Sequence, residues 1–258
     1  MTCRTCQEPL TLTLEPDSDD EGQGSSSQPQ TVPDDLGLPC GCHHHWQCIF
    51  DKASTIAMTL KCPSCDTYLP SNAAGPSSTN AFLSTAQSTS ILATYTNEGG
   101  TEEDLDIMPA LTEEAFLVAN PEARPARAMH TMAGAGDGVG IMELLTDVEV
   151  EEDFAANTAR LLKWQDPLNG GKTVLHVAIE AMQEEVFWLL LWLGSGSKMD
   201  LFPPEVVRTA EALGLPRREV AREEDVRFFV DEAGRSPADL LAPMGPPWSL
   251  YVEGGLFL

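Results

Sequence analysis

The longest apolar run in the chain is Val186 to Leu193, and Gly194 follows it directly. Within this run Trp188 and Trp192 are four positions apart, so they share one face of a helix. A glycine after the last apolar position is a typical helix end. The pattern therefore predicts a short buried helix with both indoles in a core. The run is far shorter than the roughly 20 apolar residues that span a bilayer, so it predicts no membrane segment.

Similar helical patterns extend across residues 123–245. The segment Ile179 to Met182 is predicted to complete the helix before the apolar run, with Thr173 as its N-cap. A further helix is predicted from Glu205 to Leu213. Ser236 and Pro237 have the residue types of an N-cap and a first helical residue. The pattern predicts an all-α region here.

An isolated short helix is predicted from Thr112 to Val118. Thr112 would be its N-cap, the acidic Glu113 and Glu114 would lie at its positive end, and Pro121 would stop it. We expect this helix to dock on a neighbouring domain. A partner-binding motif is the alternative.

Changes in composition divide the chain into four stretches: 1–70, 71–122, 123–245 and a tail over 246–258. Residues 15–38 contain seven acidic side chains, no basic ones and few apolar ones, which predicts a disordered acidic insert in the first stretch. Residues 71–122 are rich in Ser, Thr, Ala and Asn and then in acids. They are predicted to be a largely disordered linker.

The net charge excludes two classes of function. Lys and Arg total 15 and Asp and Glu total 40, so the formal net charge is -25. Direct nucleic-acid binding requires a basic surface that displaces counterions from phosphates. Electrostatic attachment to anionic lipid requires basic residues as well. We therefore expect protein partners, with no direct nucleic acid and no membrane.

All seven cysteines lie within the first 65 residues. The first residues contain no apolar stretch of the kind found in signal peptides, so we expect a cytoplasmic or nuclear chain with reduced thiols. Clustered cysteines in such a compartment indicate a metal site or catalysis.

The spacing of these cysteines, together with one histidine, gives four close pairs. Eight such ligands satisfy two tetrahedral zinc ions and leave no position for water, which predicts structural and not catalytic zinc. The pairs are Cys3 and Cys6, Cys40 and Cys42, His45 and Cys48, and Cys62 and Cys65.

This arrangement resembles the RING finger family. The segment Cys40-Gly41-Cys42-His43-His44-His45-Trp46-Gln47-Cys48-Ile49 is similar to the centre of that family, and Cys62-Pro63-Ser64-Cys65 is similar to its closing Cys-Pro-x-Cys. The resemblance implies a small α+β domain with a cross-brace. One zinc ion would be held by Cys3, Cys6, His45 and Cys48, and the other by Cys40, Cys42, Cys62 and Cys65.

One ligand position has an alternative. The fourth ligand of the family is often histidine, and here Cys42 occupies that slot with His43 beside it. We assign Cys42, because its spacing is better and it supplies a thiolate. His43 and His44 would then face solvent or take part in packing.

Many RING fingers are ubiquitin ligases, so the resemblance implies a scaffold that holds a ubiquitin-conjugating enzyme and forms no covalent intermediate. Ile49, Leu60 and Pro63, with Phe50, would form the apolar contact. The sequence departs from the family's contact pattern at Arg4, Thr5 and Asp66. The alternative is a zinc-dependent interaction or scaffold protein without ligase activity.

The helical region resembles ankyrin repeats. Gly170-Gly171-Lys172-Thr173-Val174-Leu175-His176-Val177-Ala178 is similar to the family's Gly-x-Thr-Pro-Leu-His-x-Ala, and weaker copies surround His130 and Ser236. The resemblance implies that His176 bridges neighbouring repeats and that the domain recruits a substrate or scaffold partner. His130 and His176 are 46 residues apart, against about 33 in an ankyrin repeat, so we expect insertions, the first over Asp147–Asp153.

No phosphate-binding loop or nucleophile elbow occurs in the sequence. The carboxylates come in runs, which are typical of solvated surfaces. The sequence therefore predicts a zinc-stabilised RING-type finger followed by an ankyrin-like helical domain, with protein recruitment as its work.

Overall fold

The structure is a computed structural model that describes residues 1–14, 30–70, 89–147, 154–217 and 219–258. The chain divides into two compact units, Met1–Pro121 and Glu122–Leu258. Three predicted segments lie partly or largely outside the described residues: the acidic insert up to residue 29, the linker over 71–88, and the insertion over 148–153.

The first unit contains two antiparallel sheets. Strands β1 (Thr11–Leu14) and β2 (Gln30–Pro33) form a two-stranded sheet. The second sheet has the order β4-β3-β5-β6. Its strands are β3 (Asp35–Gly37), β4 (His43–His44), β5 (Leu92–Asn97) and β6 (Gly100–Asp106). Residues 30–37 are therefore strands, although the sequence predicts a disordered insert as far as residue 38.

The described part of the predicted linker also differs from the prediction, because residues 92–119 are folded. Strands β5 and β6 are joined by a tight turn in which the Asn97 side-chain oxygen accepts the Gly99 N–H at 2.8 Å. Gly100 follows with a φ of 122°, which favours glycine. Asn-Glu-Gly-Gly between two short runs is thus a hairpin signal.

The helices in the described part of the first unit are α1 (Trp46–Phe50), α2 (Ala53–Thr59) and α3 (Met108–Ala119). The prediction of Thr112 as an N-cap is wrong. Helix α3 begins earlier, with a proline in its first turn, and the Thr112 hydroxyl donates to the Met108 carbonyl at 2.8 Å inside the helix. Helix α3 packs against α2, so it docks within its own unit.

Within its described residues, the named elements of the second unit are all helices. Its helices are α4 (Arg124–Ala135), α5 (Gly138–Asp147), α6 (Phe154–Lys163), α7 (Val174–Glu180), α8 (Glu184–Gly194), α9 (Pro204–Ala212), α10 (Pro237–Leu241) and α11 (Trp248–Glu253). No helix in the described ranges combines the length and the apolar character that crossing a membrane requires.

The buried helix predicted from the apolar run is α8. Trp188 and Trp192 are 5% and 2% exposed, as expected for core residues. The predicted tail over 246–258 differs from the prediction, because it contributes α11 and buried side chains. Trp248 lies edge-on to Phe187 at 5.4 Å, and Leu256 is buried in the same core.

Two helix pairs, α4–α5 and α7–α8, lie side by side in matching register. Gly136 ends α4 in the left-handed conformation. The Gln183 amide, from the corresponding turn of the next pair, donates to the Gly134 carbonyl at 3.0 Å. A β-carbon on Gly136 would come within 2.5 Å of the Gln183 side-chain oxygen and would displace this amide, and the φ of 79° independently favours glycine.

His176 joins the start of α7 to the segment before α10. Its Nδ1 accepts the Thr173 backbone N–H at 3.3 Å, which leaves the proton on Nε2. Nε2 lies 3.0 Å from the Arg235 carbonyl and donates to it. Next to this contact, the Glu232 N–H donates to the Gly170 carbonyl at 2.9 Å, which links two successive turns. His176 is therefore a structural histidine.

His130 should make the helical unit sensitive to acid. It is 4% exposed, and neither ring nitrogen has a hydrogen-bond partner among the described residues. Burial, and then the charge of Arg127, lower its pKa to about 3. The nearby Asp166 carboxylate is already paired with Arg127, so it does little to favour an imidazolium.

We predict that His130 costs stability as pH falls from 6.5 towards 3, because the unfolded chain takes up a proton in this range and the folded chain does not. The loss approaches about 1.4 kcal/mol per pH unit. A His130→Leu variant should flatten this dependence. Urea unfolding followed by tryptophan fluorescence at several pH values measures the free energy of unfolding of both proteins. Parallel plots of this free energy against pH for the wild type and the variant would contradict the prediction.

Candidate metal centres

The structure brings the eight predicted ligand residues together in two groups of four. Within each group the ligand atoms lie within 4.8 Å of one another. The first group contains Cys3, Cys6, His45 and Cys48, and the second contains Cys40, Cys42, Cys62 and Cys65. Each group thus combines two pairs that are not consecutive along the chain. Either group can hold a metal ion.

The two Cys-x2-Cys loops have the same backbone geometry. Gln7 follows Cys6 with a φ of 70°, and its N–H donates to the Cys3 carbonyl at 2.9 Å. Asp66 follows Cys65 with a φ of 60°, and its N–H donates to the Cys62 carbonyl at 3.0 Å. Each loop therefore reverses tightly and directs both thiols to one side. Sequence reasoning missed these two left-handed residues, since neither is a glycine.

His45 and Cys48 are positioned by helix α1, which begins immediately after His45. The imidazole Nε2 lies 2.8 Å from the Pro9 carbonyl, so it carries the proton and donates it. Nδ1 is then unprotonated and lies 3.2 Å from the Cys6 sulfur. A backbone carbonyl that accepts the proton of a metal-binding histidine, and so fixes its tautomer, is common around metal sites.

The alternative ligand His43 takes part in neither group. Its Nδ1 lies 2.7 Å from the Asp35 carboxylate, while Cys42 is buried among the other three thiols. His44 is completely buried and its Nδ1 lies 2.9 Å from the Thr5 hydroxyl. Of these two histidines, His44 therefore has the packing role, and His43 is partly exposed.

The thiols of the first group have opposite pKa shifts. Burial opposes ionisation of Cys3, but N–H donors from Cys6 and His45 outweigh it and lower the pKa to about 6. Burial, together with the neighbouring sulfurs of Cys3 and Cys6, raises the pKa of Cys48 to about 12. Once one thiol has ionised, its charge hinders ionisation of the next.

The second group likewise contains one thiol with a lowered pKa and one with a strongly raised pKa. Hydrogen bonds from the hydroxyl and backbone of Thr67 lower the pKa of Cys65 to about 6. Burial and the sulfurs of Cys62 and Cys65 raise the pKa of Cys40 to about 12. A divalent cation offsets the repulsion between neighbouring thiolates, and it therefore allows every thiol in the group to ionise. The donor set is soft and four-fold, which suits zinc.

The predicted apolar contact surface requires a correction. Ile49 and Leu60 are both 0% exposed and belong to the core of the first unit, so they face no partner. Pro63, Arg4, Thr5 and Asp66 are exposed. Of the three residues predicted to contact a conjugating enzyme, only Pro63 is available on the surface.

Removal of metal by a chelator should unfold the first unit and leave the second unit folded. We predict two zinc ions per chain, and loss of structure in the first unit when a strong chelator removes them, because structural zinc supplies folding free energy there. The helical unit contains no such group among its described residues, so most of the helical circular dichroism should survive. Elemental analysis that finds one ion, or iron, would contradict this assignment.

Thr67 should tune zinc retention. A Thr67→Val variant loses the hydroxyl that lies 3.2 Å from the Cys65 sulfur, so the pKa of Cys65 should rise and zinc should dissociate at higher pH. Outer-shell changes of this kind typically cost about 10- to 100-fold in affinity. Competition with a chromogenic chelator across pH measures the effect. Thr59→Val, which alters an exposed hydroxyl on α2, is the matched control and should release zinc as the wild type does.

Comparison with known proteins finds no matching family model, no matching curated protein and no matching solved structure. The chemistry of the two cysteine groups and the surfaces around them therefore carry the functional interpretation.

Proposed function

We propose that the chain is a RING-type ubiquitin ligase in which two structural zinc ions form a cross-brace and the helical unit recruits the substrate. Such a ligase holds a ubiquitin-charged conjugating enzyme and contributes no covalent intermediate. This work belongs in the cytoplasm or nucleus, where the thiols stay reduced.

The observation that carries the proposal is the alternation of ligand pairs. The first and third pairs meet in one group, and the second and fourth meet in the other. With four protein ligands in each group, a bound zinc ion retains no open position for water. The first unit is therefore unsuited to metal hydrolysis and suited to protein binding.

Exposed apolar side chains near the second group offer a contact surface. Met58 is 57% exposed at the end of α2, and Tyr68 is 42% exposed after the last cysteine. Pro63 is exposed in the loop between them, and Lys61 and Tyr68 form a β-bridge that closes this loop. We assign the conjugating-enzyme contact to Met58, Pro63 and Tyr68, in place of the buried Ile49 and Leu60.

A scaffold protein without ligase activity is the second candidate, and the same loop favours it. Asp66 follows the last cysteine, and its carboxylate lies 2.9 Å from the Lys61 ammonium. In the RING family a basic residue at this position usually contacts the conjugating enzyme. An acidic residue there, engaged with the neighbouring lysine, provides no such contact.

The helical unit is proposed to be ankyrin-like. The stacked pairs α4–α5 and α7–α8, the bond between Gln183 and Gly134, and the bridge from His176 to Arg235 all support this proposal. Helix α6 has no counterpart in an ankyrin repeat. This helix and the predicted insertions account for the irregular spacing between the repeat-like segments. Repeat arrays of this kind normally bind proteins along one face.

We predict autoubiquitination by the full zinc-loaded chain with at least one conjugating enzyme in a panel. A Met58→Ala, Tyr68→Ala double variant should lower the rate about tenfold or more, because it removes the exposed apolar contact. Gel detection of ubiquitin chains measures the rate. Leu250→Ala, which removes an apolar side chain of similar exposure in the helical unit, is the control and should leave the rate unchanged.

Cys62→Ser should abolish the reaction by removing one zinc ligand. Zinc content and circular dichroism of the double variant should match the wild type, which distinguishes a lost contact from lost folding. If no conjugating enzyme in the panel gives product with the folded wild type, the scaffold function is the better explanation.

A further inference from the structure

The turns that join α4 to α5 and α7 to α8 have the same backbone geometry. In each turn, two successive N–H groups donate to carbonyls three and five residues earlier in the chain. Gly136 and Asp137 make these two bonds in the first turn, and Met182 and Gln183 make them in the second. Both turns therefore end the preceding helix in the same way, and Met182 takes the position that Gly136 has in the first pair.

Met182 is poorly suited to this position by local chemistry. Its φ of 55° lies in the left-handed region, which costs free energy in residues with a side chain and favours glycine, as at Gly136. Leu60 has a φ of 56° as well, but it is 0% exposed, so its packing offsets the cost. The Met182 side chain is 67% exposed, and little packing offsets its cost. A strained conformation that keeps a large apolar side chain on the surface indicates a role in recognition.

A second exposed apolar side chain lies beside this turn. Val139, in the first turn of α5, is 71% exposed. Its neighbour Gly138 lies against α8, because a β-carbon there would be 4.0 Å from a methyl group of Val186 and 3.7 Å from one of Leu189. Val186 comes four residues after Met182, so the start of α5 adjoins the turn that carries Met182. We refer to Val139, Met182 and the half-buried Leu189 as the turn patch.

The charged side chains of the two turn regions are all acidic. Residues 131–147 and 173–197, which include both turns, contain six Asp and Glu and no Lys or Arg. Three of these acids, Asp137, Glu184 and Glu185, are exposed and lie close to the patch along the chain. A partner with basic side chains complements this surface. A second copy of this chain, with a net charge of -25, and an anionic lipid surface are both repelled.

A partner at this surface has to be recognised through its side chains. The N–H groups of Gly136, Asp137, Met182 and Gln183 are all used within the chain, so these donors are not available to a partner. Within the described residues, the named elements of this unit are helices, so they offer no strand edge to an extended peptide. An amphipathic helix presents apolar and basic side chains and requires no main-chain bonds to its partner.

We propose that the turn patch binds a basic amphipathic helix of a partner protein. Apolar side chains of that helix pack on Val139, Met182 and Leu189, and its Lys or Arg side chains lie opposite Asp137 and Glu185. The inference rests on the proposed recruitment role of the helical unit and names the class of partner. Its test measures binding alone, so a failure of ubiquitin transfer and a failure of this inference are distinguishable.

The probe is a labelled peptide of about 18 residues in which Leu recurs at helical spacing and Lys fills the polar face. Fluorescence anisotropy with the full zinc-loaded chain measures its dissociation constant. We expect saturable binding that weakens as salt is raised. A peptide of the same composition in scrambled order should bind about tenfold more weakly or worse, because its apolar residues no longer share one face. A version with Glu in place of Lys should bind as weakly as the scrambled peptide or not at all.

Met182→Gly is the decisive variant, because it removes the exposed side chain and relieves the backbone. It should weaken binding about fivefold or more, while the urea midpoint of unfolding should not fall. Val139→Ala should weaken binding about threefold, and it decides the matter alone if Met182→Gly lowers the midpoint. Leu213→Ala removes an apolar side chain that is 63% exposed at the end of α9. This variant is the control and should bind the peptide as the wild type does.

The proposal is overturned if the basic peptide does not bind, if the scrambled or acidic peptide binds as tightly, or if folded Met182→Gly binds as the wild type does. Equal weakening by Leu213→Ala also overturns it, because binding then has no specific location on the unit. Sedimentation that shows a dimer for the wild type and a monomer for Met182→Gly would assign the turn patch to a second copy of the chain instead.

Discussion

The stability of the first unit depends on how each group of closely spaced thiols avoids the repulsion that arises when more than one of them ionises. Each group places its ligand atoms within 4.8 Å of one another. N–H donors lower the pKa of Cys3 to about 6, whereas burial and then the neighbouring sulfurs raise the pKa of Cys48 to about 12. A bound cation would allow all the thiols of one group to ionise together. Because each group joins pairs far apart in sequence, the same ion also closes long loops, for which the entropic cost grows only slowly with length. Binding of a metal ion to these groups would therefore be coupled to folding of this unit.

The second unit is held together by side-chain packing, and its described residues contain no comparable group of metal-ligand side chains. Its core is aromatic and aliphatic, with Phe187 at the centre of ring contacts to Trp188, Trp248 and Tyr251. Buried polar groups fix the register between helices. His176 is held neutral by burial, which lowers its pKa, and it spans the distance from Thr173 to Arg235. A chelator should therefore act on the first unit alone, whereas acid should act on the second unit through its buried histidines and on the first unit through protonation of its ligand side chains.

The sequence predicts those features that local chemistry determines. Ligand spacing identifies the eight metal-site residues that the structure gathers, and the apolar run identifies α8. The grouping of pairs came only from family resemblance, because spacing is compatible with several pairings. The left-handed Gln7 and Asp66 could not be predicted, since the turn imposes that conformation on residues with no preference for it. The hairpin over residues 92–106 was missed because strand β6 is mostly acidic, and because the other partner of β5 is β3, which lies far away in the chain.

That omission explains the error in the predicted contact surface. A finger ending at residue 70 would leave Ile49 and Leu60 without cover, so an apolar groove is a reasonable expectation from sequence. In the structure, Ile91, Ile107 and Leu111 belong to the same core as Ile49 and Leu60. The segment that the sequence predicts to be a linker therefore buries two of the residues predicted to form the contact surface. Whether an apolar side chain near a metal ligand serves packing or recognition is decided by what the rest of the chain places over it. Met58, Pro63 and Tyr68, in contrast, stay exposed in the described chain, so they remain available for recognition.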